Sequence, residues 1–190
     1  MFDRFDTATI PPTPWKNGGG TTLELMCSPP GATLADFDWR VSIATVAASG
    51  PFSRFPGIDR TIVLLSGEGM HLRSPHDGVN QGSVDHLLID PGVPFSFPGE
   101  TSIQASLVGG VSKDFNLMTR RPQRAAVSVL REGTSLTLGV QGLLYANAGR
   151  WLVGDISLDE GQGVRWSHAA PATSAHPLSS NAMLIFVRLL

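Results

Sequence analysis

Short runs of alternating or β-branched side chains, separated by glycine and proline, recur along the whole chain and constrain its fold more than any other feature. Residues 38–46 alternate with a period of two, and residues 60–66 form a β-branched run. Successive side chains of a strand point to opposite faces, so such runs are typical of strands. Further strands are expected at residues 22–27, 70–73, 84–89, 102–108, 126–130, 134–138, 143–146, 150–153 and 182–188. No segment keeps a long helical period, and we predict an all-β sandwich or barrel.

The connections between these runs carry turn signals. Residues 67–69, Gly-Glu-Gly, predict a hairpin between the strands on either side. Residues 73–83 and 169–180 are rich in small and turn-forming residues and are interpreted as surface loops. A short helical turn is one option at residues 115–118. The weakest boundary between the halves falls near residues 120–123.

The composition argues against several classes of function. The 190 residues carry a net charge of −2, without the basic patch that nucleic-acid binding normally needs. No apolar run reaches membrane-spanning length, and residues 1–15 lack the apolar core of a signal peptide. The single cysteine, Cys27, excludes an internal disulfide and is interpreted as a structural thiol. We therefore expect a cytoplasmic protein without nucleic-acid or membrane partners.

Residues 14–25 combine several kinds of polar side chain with a run of glycines. An aromatic, a cation and an amide (Trp15, Lys16 and Asn17) precede three consecutive glycines, and Thr21 leads into a strand. Glycine allows positive φ and close approach of a ligand to backbone N–H groups. The segment is thus a candidate edge of a small-molecule site. The alternatives are that the glycines only connect two strands and that Asn17 caps the turn before them.

Residues 89–100 resemble the second signature of the cupin superfamily, and residues 65–69 resemble the end of the first. Many cupins hold a metal with three histidines and a glutamate. In this register the glutamate position falls on Arg60, the paired histidine positions fall within residues 53–56, and the last falls near Thr101 or Ser102. The five histidines show no metal-binding spacing either. We expect no metal and no other cofactor.

An arginine in place of a metal ligand would need a partner, because a lone buried charge is very costly. Asp59, Glu24, Asp114 or an anionic ligand are the candidates for Arg60. Arg40 lies on another alternating strand and is a second candidate for the interior. The alternative is that both arginines pair with acids on an exterior face, and the sequence leaves this choice open.

Four motifs in order, at residues 14–21, 39–44, 50–60 and 114–121, together resemble the HutD/Ves family. The resemblance implies a bicupin, in which two double-stranded β-helix (jelly-roll) barrels are fused. Residues 1–120 would form the barrel with the pocket, and residues 121–190 a degenerate second half packed against it, with exchange of strands between the halves left open. It also implies a metal-free regulatory or metabolite-sensing protein of bacterial histidine utilisation, rather than a pathway enzyme. N-formylglutamate is the ligand that the resemblance suggests.

The chemistry of that ligand fits the residues at hand. Two arginines can each bind a carboxylate through paired hydrogen bonds, and short polar side chains, an amide and backbone N–H groups can serve the remaining oxygens. The expected ligand-binding residues are Asn17, Gly18, Gly19, Thr21, Arg40, Ser42, Ser53, Phe55, Arg60 and Asn116. Phe55 has a core role as its alternative, and Asn116 a turn-stabilising role.

Two further functions are kept. One is a metal-independent hydrolase or isomerase acting on a small carboxylate metabolite, with Glu24, Asp59 or a histidine as the general acid or base. No pair of titrating groups with separate roles stands out, so no catalytic residue is assigned. The other is an interaction module, in which a sheet edge or residues 182–190 form a homodimer.

Overall fold

A computed structural model describes residues 2–75 and 83–190. By their contacts, these residues divide into two compact units, Pro12–Pro122 and Met1–Pro11 with Gln123–Leu190. The sequence predicts a division after residue 120, and in the structure the first strand of the chain pairs with a strand of the second unit. His76 and most of the loop predicted at residues 73–83 lie outside the described residues.

The described chain folds almost entirely into short strands, with one short 3₁₀ turn at Thr7–Thr9. In chain order they are β1 Asp3–Asp6, β2 Thr13–Pro14, β3 Gly20–Ser28, β4 Trp39–Val46, β5 Gly50–Pro51, β6 Ile58–Ser66, β7 Met70–Arg73, β8 Asp85–Leu88, β9 Pro94–Pro98, β10 Gln104–Leu107, β11 Ser112–Arg120, β12 Ala125–Leu130, β13 Thr134–Leu136, β14 Gly142–Ala148, β15 Trp151–Val153, β16 Ile156–Leu158, β17 Gln162–Trp166, β18 Thr173–Pro177 and β19 Met183–Leu189. The all-β prediction is confirmed.

The unit Pro12–Pro122 contains two antiparallel sheets. Six strands pair in the order β2-β3-β4-β11-β6-β9, and four pair in the order β5-β10-β7-β8. Apolar side chains of both sheets form one buried cluster, including Ala44, Ile62 and Leu64 from the first and Leu72 and Ala105 from the second. The two sheets therefore pack face to face, and the face that carries these side chains is the interior of the unit.

The Gly-Glu-Gly turn does not join a hairpin, contrary to the prediction. β6 belongs to the six-stranded sheet and β7 to the four-stranded sheet, so the chain changes sheets here. Both glycines have positive φ, and a Cβ on Gly69 would lie 2.0 Å from the carbonyl oxygen of Leu88. The turn signal was real, but a sharp crossing between packed sheets needs the same residues as a hairpin.

Residues 115–118 are strand, and the helical option was wrong. They lie within β11, which pairs with β4 on one side and β6 on the other. Phe115 and Leu117 are buried, as are Asn116 and Met118 between and beyond them. Polar Asp114 and Asn116 alternate with apolar Phe115 and Leu117, and both faces of this central strand are buried.

The second unit also contains two antiparallel sheets, in the orders β1-β17-β14-β19-β12 and β13-β18-β15-β16. Its buried cluster of apolar residues has Trp151, Trp166 and Phe186 as the largest members, and the indole N–H groups of both tryptophans are buried without a hydrogen-bond partner. The loop predicted at residues 169–180 contains β18, which pairs with β13 and β15 and buries Ala175 completely. Its strand was not predicted because residues 169–180 are rich in proline and small residues, a composition typical of loops.

Candidate functional site

The central strand β11 brings several of the predicted site residues to one level of the interior. Met118 lies opposite Arg40 of β4 and Arg60 of β6, and Asn116 lies opposite Ser42 of β4. Residues directly opposite each other in an antiparallel pair project to the same face. That face is the interior, because the next residue in this series on β4 belongs to the core cluster.

Asp114 is the next inward residue on β11, opposite Ala44 and Leu64. We call Arg40, Ser42, Arg60, Asp114 and Asn116 the inner polar cluster. Among the described residues, the buried polar or charged side chains all belong to the unit Pro12–Pro122; they are Ser42, Arg60, Ser112, Asp114, Asn116 and Thr119. Four of these six are members of the cluster. Burial of polar groups, which costs free energy, is thus concentrated in one place.

Arg60 is held in an aromatic cage. Its guanidinium carbon lies 5.3 Å from the ring centre of Phe52, 5.7 Å from that of Phe55 and 5.0 Å from that of Phe97. Nη1 donates to the carbonyl oxygen of Ser53 at 3.5 Å, and Nε has no hydrogen-bond partner. The residue is only 6% exposed, and this burial lowers its pKa to about 10, against the opposite effect of Asp114. Arg60 remains a cation at neutral pH.

Asp114 is the other buried charged residue of the cluster. It is 2% exposed, and its Oδ2 has no hydrogen-bond partner. Desolvation raises the pKa of Asp114 to about 7, although the nearby Arg60 acts to lower it. The Oδ1 of Asn116, two residues along the strand, also lacks a partner. The cluster thus presents one unpartnered donor and two unpartnered acceptors.

Arg40 differs from Arg60 in having a salt-bridge partner. Its Nε donates to Oε2 of Glu24 at 2.7 Å, and its Nη1 donates to Oγ of Ser42 at 3.4 Å. The Arg40 side chain is 13% exposed, whereas that of Glu24 is 48% exposed. The two arginines lie on strands two apart, about 10 Å between Cα atoms from ordinary strand spacing, and the positive charge of Arg40 lowers the pKa of Arg60. Their side chains therefore share one region of the interior.

The glycine run lies in a tight hairpin between β2 and β3. The N–H of Gly18, where φ is 71°, donates to the carbonyl of Trp15, and that of Gly19 donates to Oδ1 of Asn17, both at 3.0 Å. A Cβ on Gly20 would lie 2.2 Å from the carbonyl oxygen of Thr45. These contacts give Asn17 the turn role kept as its alternative from the sequence. A ligand-binding role for Asn17, Gly18 and Gly19 stays a prediction.

A shallow hollow lies beside this hairpin. It is open to solvent and is lined by Trp15, Asn17, Val46, Ala48, Gly50, Pro51, Phe52 and Ala105. Phe52 is shared between the hollow and the Arg60 cage. The indole N–H of Trp15 donates to Oγ1 of Thr22 at 2.8 Å, which fixes one wall.

The structure brings together some of the predicted residues and separates others. Arg40, Ser42, Arg60 and Asn116 share the interior face, and Phe55 and the Ser53 carbonyl contact Arg60. Thr21 lies opposite Thr45, on the face away from the inner polar cluster. Phe97 was missing from the predicted site, and Asp114 was considered only as a partner for Arg60, on whose pKa it acts. The two-residue period links Asp114 to Asn116, but nothing local links Phe97 to Arg60, its partner across β9 and β6.

The described histidines and Cys27 lie outside any metal-type arrangement. Among the described residues, no three His, Cys, Asp or Glu side chains are grouped to hold a metal ion. Nε2 of His71 lies 2.5 Å from Oδ1 of Asp85, and the His86 ring stacks on that of Phe95. Cys27 is partly buried, and this burial raises the pKa of its thiol. No helix in the described ranges is long and apolar enough to cross a membrane.

Sequence comparison relates the chain to proteins called Ves. Protein Ves of Escherichia fergusonii is 39% identical over 167 residues, which cover 87% of this chain and 83% of that protein. Protein Ves of Cronobacter sakazakii is 37% identical over 168 residues, covering 87% of both chains. The relationship therefore extends through both compact units.

Structural comparison gives the fold. HutD from Pseudomonas fluorescens superposes with a TM-score of 0.84 at 24% identity, with 100% of each chain covered. An oxalate decarboxylase of Lactobacillus farciminis superposes with a TM-score of 0.66 at 7% identity, covering 97% of this chain and 85% of that one. The fold is therefore that of the cupins. The HutD family profile matches residues 7–185, and the chain belongs to the HutD family.

Proposed function

We propose that this protein binds a small dicarboxylate in its inner polar cluster and acts as a metabolite-responsive regulator of histidine utilisation. N-formylglutamate is the candidate ligand. The observation that carries the proposal is Arg60, a buried cation whose Nε has no partner. A buried charge without a matching partner is costly, and a carboxylate with paired oxygens is the natural complement of a guanidinium.

The charges around Arg60 favour an anionic ligand. Arg40 is already paired with Glu24, so its charge is largely balanced. Asp114 has a pKa of about 7, so near neutral pH it balances Arg60 only in part. A ligand carboxylate would supply the missing negative charge inside an apolar cage of Phe52, Phe55 and Phe97. Water-poor surroundings strengthen such a pair once its desolvation cost is met.

A second carboxylate has a binding group at hand. Arg40 lies at the same level of β4 as Arg60 does of β6, on either side of Met118. A ligand with two carboxylates joined by a short aliphatic chain can contact both guanidinium groups. Arg40 would then exchange its contact with Glu24 for one with the ligand, and the partial exposure of Glu24 allows that side chain to turn toward solvent.

The proposal extends to architecture and setting. Each unit contains two antiparallel sheets, which supports the view that the chain is a bicupin with the pocket in the unit Pro12–Pro122. The apolar interior of the second unit supports a structural role for it. We place the protein in the cytoplasm, acting without a metal, with a homodimer as its candidate assembly.

Isothermal titration calorimetry with N-formyl-L-glutamate tests the proposal. Histidine, urocanate and glutamate serve as comparison ligands. We expect saturable binding of N-formyl-L-glutamate, and its loss in Arg60→Met, an apolar replacement of similar length. Circular dichroism on that variant checks that the fold persists. Equal weak heats for all four compounds, or normal binding by Arg60→Met, would overturn the proposal.

One observation favours an enzyme as the second candidate. A carboxyl with a pKa of about 7, as at Asp114, can accept and return a proton at neutral pH. Glu24 and Asp59, the acids considered from the sequence, are both partly exposed and paired with arginines. Incubation with N-formyl-L-glutamate, followed by proton NMR, would reveal any product. Turnover that disappears in Asp114→Asn would favour a metal-independent hydrolase or isomerase over a regulator.

A further inference from the structure

Asp114 is a buried acid with an unpartnered carboxyl oxygen. It is 2% exposed, and its neighbours on the flanking strands, Ala44 and Leu64, are both apolar. Its Oδ2 has no hydrogen-bond partner. The ionised form of such a group is costly, because the oxygen has lost water and gained no donor in exchange. Whether Asp114 carries a charge therefore depends closely on the other charges in the same interior.

Charged groups reach this interior from several strands. Arg60 on β6 is 6% exposed, and Arg40 on β4 is paired with Glu24 on β3 at 2.7 Å. From the four-stranded sheet, His86 on β8 stacks on a phenylalanine packed against the core, and desolvation lowers its pKa, which favours the neutral ring. The side chains that β7, β9 and β10 contribute to this core are apolar. Arg60 is therefore the cation that Asp114 can balance, and each of the two acts on the pKa of the other.

We propose that Asp114 is a proton-binding site coupled to the ligand site, so that it takes up a proton from solvent when an anionic ligand binds at Arg60. The inference rests on the proposed function, because it concerns the regulation of the same site. In the unliganded protein, Asp114 is the available counter-charge for Arg60. A ligand carboxylate replaces Asp114 in that role, and an ionised Asp114 would then be a surplus anion in an apolar interior. Protonation removes this surplus charge.

The sign of the coupling follows from this exchange of partners. Without ligand, the pKa of Asp114 is about 7, with Arg60 acting to lower it. A bound carboxylate cancels that effect of Arg60 and adds a like charge, and both changes raise the pKa of Asp114 further. By linkage, a group that holds its proton more tightly in the complex makes ligand binding tighter as the pH falls. A coupling of about ten-fold, which is ordinary for interacting sites, makes affinity about seven-fold higher at pH 6 than at pH 8.5.

Calorimetric titration with N-formyl-L-glutamate tests the coupling. Carboxyl groups of this ligand ionise near pH 4, so the ligand itself takes up no proton between pH 6 and pH 8.5. Titrations at pH 7.5 in HEPES and in Tris, whose ionisation enthalpies differ widely, give the number of protons exchanged on binding. We expect uptake of about half a proton per ligand, and a fall in affinity of about seven-fold from pH 6 to pH 8.5. Binding without proton uptake would overturn the coupling and leave the proposed function standing, whereas no binding at any pH would overturn both.

Variants identify the group that takes the proton. Asp114→Asn has nearly the shape of the acid but is neutral at every pH, so it mimics the protonated form. We expect this variant to take up no proton, to bind as wild type does at pH 6, and to bind about seven-fold more tightly than wild type at pH 8.5.

Asp59→Asn is the matched control, because it neutralises an acid of β6 whose carboxylate contacts a partly exposed arginine at 3.6 Å. It should keep the proton uptake of the wild type. Uptake that persists in Asp114→Asn would assign the proton to another group, such as His86 or the displaced Glu24, and would overturn the proposal. Loss of binding by an Asp114→Asn protein that circular dichroism shows to be folded would overturn it as well.

Discussion

Arg60 and Asp114 project from neighbouring strands into the same interior, and each keeps one buried atom, Nε and Oδ2, without a hydrogen-bond partner. Each group acts on the pKa of the other. They are oppositely charged residues in a place where charge is expensive, yet they do not satisfy each other's hydrogen bonding. This arrangement leaves both open to a ligand.

Replacement of Arg60 by lysine should weaken ligand binding even though the substitution keeps the positive charge. An ammonium group is a point charge that cannot make paired hydrogen bonds to a carboxylate or stack on three rings as a guanidinium does. We expect Arg60→Lys to lose at least about ten-fold in affinity for N-formyl-L-glutamate, measured by calorimetry.

Arg54→Lys is the matched control, because Arg54 lies on the connection that precedes β6 and donates through Nε to the carbonyl of Glu100. It should bind as the wild type does. If Arg60→Lys binds normally too, the guanidinium geometry is irrelevant and the ligand site lies elsewhere.

The strands and the interior arginines could be predicted because their signals are local. β4 shows a period-two pattern and β6 a β-branched run, and the spacing of the cupin-like motif placed Arg60 at a ligand position. Alternation then predicts that Arg40 and Ser42 share a face, without fixing which face. The choice between interior and exterior depends on which sheet covers the strand, and that is a property of the whole fold.

The rest of the site depends on pairing between distant residues. Phe97 contacts Arg60 because β9 pairs with β6, and no sequence feature near either residue predicts that pairing. The glycine run is compatible with two roles, contact with a ligand or a tight turn between strands, and the sequence does not decide between them. The contact between Gly20 and the Thr45 carbonyl, which favours the turn, becomes visible only when β3 is placed beside β4.

Stability should fall as pH rises from about 5 to 7, through Asp114. In the folded protein this carboxyl keeps its proton up to about pH 7, whereas in the unfolded chain it loses the proton near pH 4. Between these values the unfolded state binds fewer protons, so the free energy of unfolding decreases with pH. Asp114→Asn removes this contribution, and thermal unfolding followed by circular dichroism measures it.

The comparison must be made as a difference between the two proteins. Desolvation lowers the pKa of His86 in the folded state, so its own contribution rises with pH up to its ordinary value near 6.5. That term cancels between wild type and Asp114→Asn. We expect the melting temperature of the variant, relative to wild type, to increase by at least about 3 °C from pH 5 to pH 8. A constant difference would show that Asp114 is ionised throughout.

Gly20→Ala should destabilise the protein, whereas Gly50→Ala should not. A Cβ at position 20 would lie 2.2 Å from the Thr45 carbonyl oxygen and 3.1 Å from the Trp15 ring, and at position 50 it would meet nothing within 4 Å. Strand β4 cannot move away without losing its register with β3 and β11. We expect a loss of about 2 kcal/mol or more for Gly20→Ala in denaturant unfolding. Similar stability of both variants would contradict the tight turn.

Glu24→Gln should tighten ligand binding. In the unliganded protein Glu24 occupies Nε of Arg40 at 2.7 Å, so a ligand carboxylate must displace it. A neutral amide competes less well for the guanidinium and leaves more net positive charge at the site. We expect affinity for N-formyl-L-glutamate to rise about two- to ten-fold, since a partly exposed ion pair contributes up to about 1 kcal/mol. Asp59→Asn, whose carboxylate contacts Arg121 at 3.6 Å, is the control and should leave affinity unchanged. Weaker binding in Glu24→Gln would mean that Glu24 orients Arg40 for the ligand and does not compete with it.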